Sequence, residues 1–370
     1  MPAEAEPPDA DPRITFLGPQ RTPRVPHVVR HLGLRGRRFG MITAGWRDRE
    51  TDDALLSDLL GGNTVNLGLW GLMQQVWEAD PELAAADHRR RTVHTEMQEL
   101  YLIGLEQANE AARRIRLHEP RDPRVVKESL MDVVDIMRTL DQRHVSRVDE
   151  LNADFYERYQ PQHRDAVVAG RFRVGRAVAD CEAIAITGGH VGVLMGAMHV
   201  FNLGPALASP AVPDPLEDAG LRGATDPDDL PPPRLLRPVL AWGAGAMALT
   251  ERIVLFYDHA VTSPGVSEVL MGGLGLTRGV VALPSPRERL DMRDRRRLGV
   301  LARRALPRRG VLLDQRTTVT LTADGRLPDD ARVLGSDGIV TTYRQSLLDE
   351  APTEPPLAVG PTGAGGEEVR

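Results

Sequence analysis

With 370 residues, 41% of them hydrophobic and 26% charged, the chain has the balance of a soluble globular protein long enough to bury a substantial core. Its net charge of -6 gives no global reason to expect nucleic acid or an anionic membrane as a partner, and it has no apolar run of membrane-spanning length. The single cysteine, Cys181, excludes an intramolecular disulfide and any multi-cysteine metal site, and MPAEAEPPDADP lacks a signal-peptide pattern, so a cytoplasmic location is the expectation.

Residues 1–12 and the tail from 350 to 370 are rich in Pro, Gly and acid and read as disordered. Between them, 13–349 reads as one α/β domain. RITFLG (13–18) is a short apolar strand, a helix follows around Pro26 to Leu34, and FGMITAG (39–45) is a second buried strand. The turn and charged cluster TAGWRDRE (43–50) come at a strand's carboxyl end, where open α/β sheets present functional loops. Alternating Val65, Leu67 and Leu69 suggest a third strand over 64–70. From Met73 to about Ala179 the spacing is helical, as in Val126, Leu130, Val133, Val134 and Met137. This is a large insertion, and its charges read as solvated faces.

The α/β rhythm returns with the strand AIAITGG (183–189) and a helix from Val191 to Phe201. Residues 204–237, dense in Pro and Asp, read as a flexible loop. Strands are expected at 252–257 and 279–283, a helix from Arg287 to Arg309, and closing strands at 311–313 and 317–321, with a turn at Asp324-Gly325.

The stretch that organises the reading is PVLAWGAGAMAL, 238–249. An apolar strand, Pro238 to Trp242, runs into small residues, Gly243 to Ala246, and then a helix from near Met247. That is the frame of a nucleophile elbow, which needs small side chains two positions either side of the nucleophile; Ala241 and Gly245 supply them. Ala244 would give one oxyanion-hole N–H, and the Gly188-Gly189 turn the other. Gly243 stands where the nucleophile belongs.

These motifs, AIAITGGHVGVLM, then VLAWGAGAMALTERIVLFYD, then GLGLTRGVVALPSPRERL, resemble the peptidase E and cyanophycinase family, serine peptidases of the class I glutamine amidotransferase-like group. TAGWRDRE is similar to the first strand-end loop of related proteins. The resemblance covers roughly 13–70 and 180–320, not the insertion. It implies a three-layer α/β/α sandwich with a mainly parallel sheet. It also implies a Ser-acid-His triad whose positions here hold Gly243, Asp258 and Ser285, the last within Pro284-Ser285-Pro286 where the family has a histidine. Two of the three positions are substituted.

Glycine offers no atom for an acyl intermediate, and serine is no base near neutral pH. The expectation is therefore a protein inactive as a serine peptidase that keeps its pocket for a small peptide-like ligand or a protein partner. The alternative is a hydrolase of small or β-linked peptides in which Asp258 and His259 activate a water, with His190 nearby. Gly243, Gly245 and Ala248 also satisfy GxGxxA, but this glycine turn comes late in the chain for a dinucleotide fold. Cys181 precedes its strand and so lies at the wrong end of the sheet for a nucleophile. The histidines read as scattered, with neither an HxxxH nor an HExxH pair, so no metal or other cofactor is expected. The arginine-rich segment at 287–309 has no aromatic residue to stack on bases and is not read as binding nucleic acid.

Overall fold

The computed structural model describes residues 12–119, 121–209, 234–257 and 266–349. Its central sheet has six strands. β1 (Ile14–Leu17), β2 (Phe39–Ile42) and β3 (Thr64–Asn66) come before the insertion, and β4 (Ala183–Ile186) directly after it. Two short strands, β5 (Ala208–Ser209) and β6 (Arg234–Leu235), precede the elbow strand β7 (Val239–Trp242). The order is β12-β1-β7-β4-β2-β3, all parallel except the antiparallel edge strand β12 (Thr318–Thr320). Its four central strands are wholly buried, as expected of parallel strands covered on both faces.

Alternation along these strands divides the core. Leu17, Phe39, Met41, Ala185 and Leu240 pack against α1 (Val25–His31) and α2 (Ala54–Leu60). Phe16, Ile42, Ile184, Ile186 and Ala241 face the other way. There they meet α3 (Leu69–Ala79), and, beyond the two long helices of the insertion, α6 (Asp165–Ala179) and α7 (Val191–Val200). The fold is mixed α/β with a mostly parallel central sheet and helices on both faces. No helix among the described residues is long and apolar enough to cross a membrane.

The insertion is built around α4 (Pro81–Leu117) and α5 (Pro123–Tyr159), 37 residues each and about 55 Å long. Both begin with Asp-Pro. Asp80 accepts from Leu83 N and Asp122 from Arg124 N, while the proline occupies a first-turn position that needs no N–H donor. The charges of these helices are not all solvated, contrary to expectation. Asp141 is 1% exposed and receives Arg304 through two bonds, Nε to Oδ2 at 3.0 Å and Nη2 to Oδ1 at 2.7 Å. Tyr101 donates to Asp141 Oδ1 at 2.5 Å and accepts from Val269 N at 3.1 Å; Arg304 also donates to Ser267 O at 2.6 Å. One satisfied ionic cluster thus fastens the helical hairpin to the α/β body.

Several boundaries differ from the sequence reading. The third strand stops at Asn66, whose side chain accepts from Gly68 N and turns the chain into α3. After α8 (Leu203–Leu207), the 204–237 stretch is tied where β5 and β6 pair antiparallel, and residues 210–233 lie outside the described set. So do the expected tails, apart from Pro12. The elbow helix α9 (Ala244–Leu249) starts at Ala244, not near Met247, because one residue, Gly243, makes the whole turn.

β8 (Arg252–Leu255) pairs antiparallel with β9 (Glu268–Gly272), which the sequence reading lacks, and not with the main sheet. β10 (Val280–Pro284) begins a second sheet. The helix expected over 287–309 is broken into α10 (Pro286–Arg289) and α11 (Arg295–Ala305), because Asp291 and Asp294 accept from Arg293 N and Arg297 N. The second sheet continues with β11 (Arg309–Leu313), parallel to β10, then β13 (Arg332–Leu334) and β14 (Val340–Thr342), both antiparallel. The helix α12 (Tyr343–Leu348) follows.

Replacing Arg304 by Met leaves the Asp141 carboxylate buried without its cation. The expected cost is about 3–5 kcal/mol in denaturant unfolding. A loss below about 1 kcal/mol would show that the hairpin is held by packing alone.

Candidate functional site

The loops after β2, β4, β7 and β10 open into one cleft of about 1160 Å3, whose opposite wall is supplied by the insertion. Gly188, Gly189, His190, Gly243, Ala244 and Ser285 all line it. Asp258 and His259 lie outside the described residues, although Tyr257 lines the cleft. Cys181 does not line it; it is buried at the start of β4, where burial pushes its thiol up.

The elbow is built by backbone-on-backbone packing. A Cβ at Gly245 would lie 2.4 Å from Ile186 O, so only glycine lets α9 cross this close to β4. Gly243 has φ 57° and ψ -127°, and a Cβ there would stand 3.0 Å from the Gly188 Cα. Gly189, at φ 121°, meets the preceding loop in turn. A Cβ on it would lie 2.4 Å from Gly45 O, and the next residue, His190, donates its N–H to that same oxygen at 2.8 Å. Three strand-end loops therefore meet through glycines. Among the described residues, neither the Gly189 nor the Ala244 N–H is bonded to a backbone acceptor.

The loop after β2 carries a feature the sequence reading missed. Arg47 holds φ 57° and ψ -126°, almost the conformation of Gly243, but with a side chain. Such a backbone costs on the order of 1–3 kcal/mol and persists only where its surroundings over-determine it. Here they do. Glu50, buried, accepts from Trp70 N and Gly71 N at the start of α3, each at 2.9 Å, and its own N–H donates to Arg47 O at 2.7 Å. Asn66 donates to Glu50 O, Thr43 Oγ1 and Asp53 Oδ2. Burial outweighs the helix N–H groups and raises the Glu50 pKa. The strained Arg47 side chain is presented at the cleft.

Ser285 is also left-handed, at φ 53° and ψ 48°, and begins α10 without capping it through its hydroxyl. His190 caps α7, its Nδ1 accepting from Val193 N at 3.2 Å, so the proton of the neutral ring sits on Nε2. Burial, then the nearby Arg47 cation, lowers its pKa.

The insertion contributes residues that the sequence reading left as solvated surface. Asp87, Arg90, Arg91 and His94 recur at helix spacing along one face of α4 and line the cleft. Asp87 is 4% exposed and pairs with Arg90 at 2.6 Å and Arg91 at 2.8 Å; Arg90 also donates to Asn152 and lies over the Phe155 ring. His94 and His144 share one acceptor, Leu270 O, at 3.1 and 3.2 Å. Since a carbonyl only accepts, both rings donate from Nε2. Among the described residues, five arginines and two carboxylates line the cleft, a basic balance in a chain of negative net charge. His27 and His31 form an HxxxH pair on α1, a spacing the sequence reading overlooked, but no group of three or more possible ligands gathers around a metal position among the described residues.

No protein-family model and no curated protein matches the chain. Among solved structures, a peptidase from an acI-B1 Actinobacterium aligns over 88% of this chain and 88% of its own, with 12% identity and a TM-score of 0.38. A likeness this loose carries no inference about activity.

His94, His144, His190 and His199 all have pKa values lowered first by burial. A lowered histidine pKa stabilises the fold fully above the unfolded value of about 6.5, and that stability is lost as pH falls from there through the folded pKa. Unfolding midpoints should fall between pH 7.5 and 5.5, with a shallower fall in His144→Gln. A flat profile over that interval would contradict the neutral, desolvated assignment of these rings.

Proposed function

We propose that this chain is a ligand-binding protein built on the peptidase E and cyanophycinase pattern, a class I glutamine amidotransferase-like sandwich whose covalent chemistry is lost. Gly243 carries the reading. It occupies the elbow turn, at a φ and ψ that hold a nucleophile above the strand ends, and it has no side chain. No acyl intermediate can form there, and Ser285 at the histidine position supplies no base near neutral pH. Asp258 keeps the acid position in this scheme.

What remains suits recognition. The Gly189 and Ala244 N–H groups are the proposed donors to a ligand carbonyl. The basic lining favours a ligand that carries carboxylates, and Arg47 is the proposed anchor, its position fixed by the strained loop. The cleft volume exceeds what a compact drug-sized molecule needs and leaves room for a short peptide. A small acidic peptide-like ligand fits these features, and no cofactor is required for its binding.

The experiment is calorimetry with a panel of α- and β-linked acidic dipeptides, each mixture analysed afterwards for cleavage. Binding without turnover is expected, weakened about tenfold or more in Arg47→Gln. Turnover by the wild-type chain that disappears in Asp258→Asn would overturn the proposal in favour of an activated-water hydrolase. Restoring Gly243→Ser together with Ser285→His is expected to give little activity unless the Gly188 loop yields, since the added Cβ has only 3.0 Å to the Gly188 Cα.

A further inference from the structure

Away from the cleft, the arginine-rich helix α11 faces the far half of the α4–α5 hairpin. Two adjoining cavities of about 390 and 360 Å3 lie between them, sharing Arg116, Met137, Arg296 and Val300. The floor is apolar, formed by Met137, Val300 and neighbouring side chains of α5. The rim is cationic. Arg113 and Arg304 are neutralised there by Glu110 and Asp141. Arg116, Arg295, Arg296 and Arg303 form no ion pair among the described residues.

Among the described residues, the two carboxylates lining this groove are already engaged. Asp294 Oδ1 accepts from Arg297 N at the start of α11, and Asp337 Oδ1 accepts from Ile339 N in a turn. The guanidinium groups cannot relieve their repulsion by shedding protons. Arg116 is half-buried, and burial followed by the Arg296 and Arg303 charges depresses its pKa, with Asp294 only partly offsetting them. Nor can the helices easily move apart. A Cβ at Gly299 would lie 2.9 Å from Ser336 O, so α11 is seated against the 335–338 turn, and Arg304 ties it to the hairpin through Asp141. The fold holds Arg116, Arg295, Arg296 and Arg303, from segments far apart in sequence, around a concave apolar floor.

We propose that this groove binds a small polyanion of the phosphate class, an oligophosphate or a multiply phosphorylated small molecule. Planar, forked guanidinium groups match phosphoryl oxygens in bidentate geometry, and several phosphoryl groups satisfy several arginines within a small volume. Among the described residues neither cavity is lined by a Phe, Tyr or Trp to serve as a stacking platform for a nucleobase. The two compartments are of small-molecule size, which suits a compact ligand better than a nucleic-acid strand.

The test is calorimetric titration of the full chain with tripolyphosphate at low ionic strength, with citrate and a short single-stranded DNA as competitors. Saturable one-to-one binding is expected, at least about tenfold tighter than citrate, weakening with added salt and not displaced by the DNA. Arg116→Gln with Arg303→Gln should weaken it at least about tenfold. Arg37→Gln with Arg326→Gln, exposed arginines paired with Glu182 and Asp324 and lining neither cavity, should change it less than about twofold. Thermal melts without ligand check that each variant folds, and the exposed Arg296→Gln replaces the first pair if it does not. The proposal is overturned by absence of saturable binding, by equal losses in both double variants, by citrate binding as tightly, or by DNA displacing the tripolyphosphate.

Discussion

The site depends on backbones meeting without side chains between them. Gly245 crosses Ile186 O at a distance no Cβ tolerates, Gly243 rests on Gly188, and Gly189 rests on Gly45. These contacts fix the relative heights of three strand-end loops, and so fix where N–H groups emerge at the mouth of the sheet. Each glycine gives up more conformational freedom on folding than a residue with a side chain would, a cost of roughly 0.5–1 kcal/mol against alanine in regular structure. Here it secures an approach no other residue permits. At the turn itself Gly243 carries no side chain, so what these contacts secure is the shape of the strand ends.

The insertion completes the cleft that the sheet leaves open. Asp141, Arg304 and Tyr101 join α4, α5, α11 and the segment leading into β9 through one buried set of hydrogen bonds. Removing water from two charges is expensive, so such a cluster is tolerated only when it is fully satisfied. The same fastening sets α4 so that Asp87, Arg90, Arg91 and His94 turn toward the elbow. The electrostatic character of the cleft therefore belongs to both parts of the chain, with Arg47 and Arg289 from strand-end segments and Arg90 and Arg91 from the insertion.

Much of this was legible in the chain. Runs such as AIAI and VLAW are buried strands because parallel strands covered on both faces are apolar throughout, and apolar residues at helical spacing mark the insertion. The turn followed from small residues at fixed offsets, and Gly188, Gly189, His190, Gly243, Ala244 and Ser285 line one cleft, while Asp258 and His259 lie outside the described residues. Three things were not legible, each for a physical reason. Which charges are buried depends on partners distant in sequence, as with Asp141 and Arg304. The break in the arginine-rich helix depends on Asp291 and Asp294 bonding to backbone N–H groups instead of facing solvent. Arg47 adopts a backbone that its residue type disfavours, because Glu50 and Asn66 hold the loop, and no local pattern announces that.

The most direct test of a cleft that binds without covalent chemistry is an amide NMR titration with an acidic dipeptide, followed over hours in one sample. The account predicts that the Gly189 and Ala244 amide resonances shift on addition while the peptide's own resonances keep their positions and intensities. New resonances from cleaved peptide, or amides at Gly189 and Ala244 that remain unmoved at saturation, would contradict it.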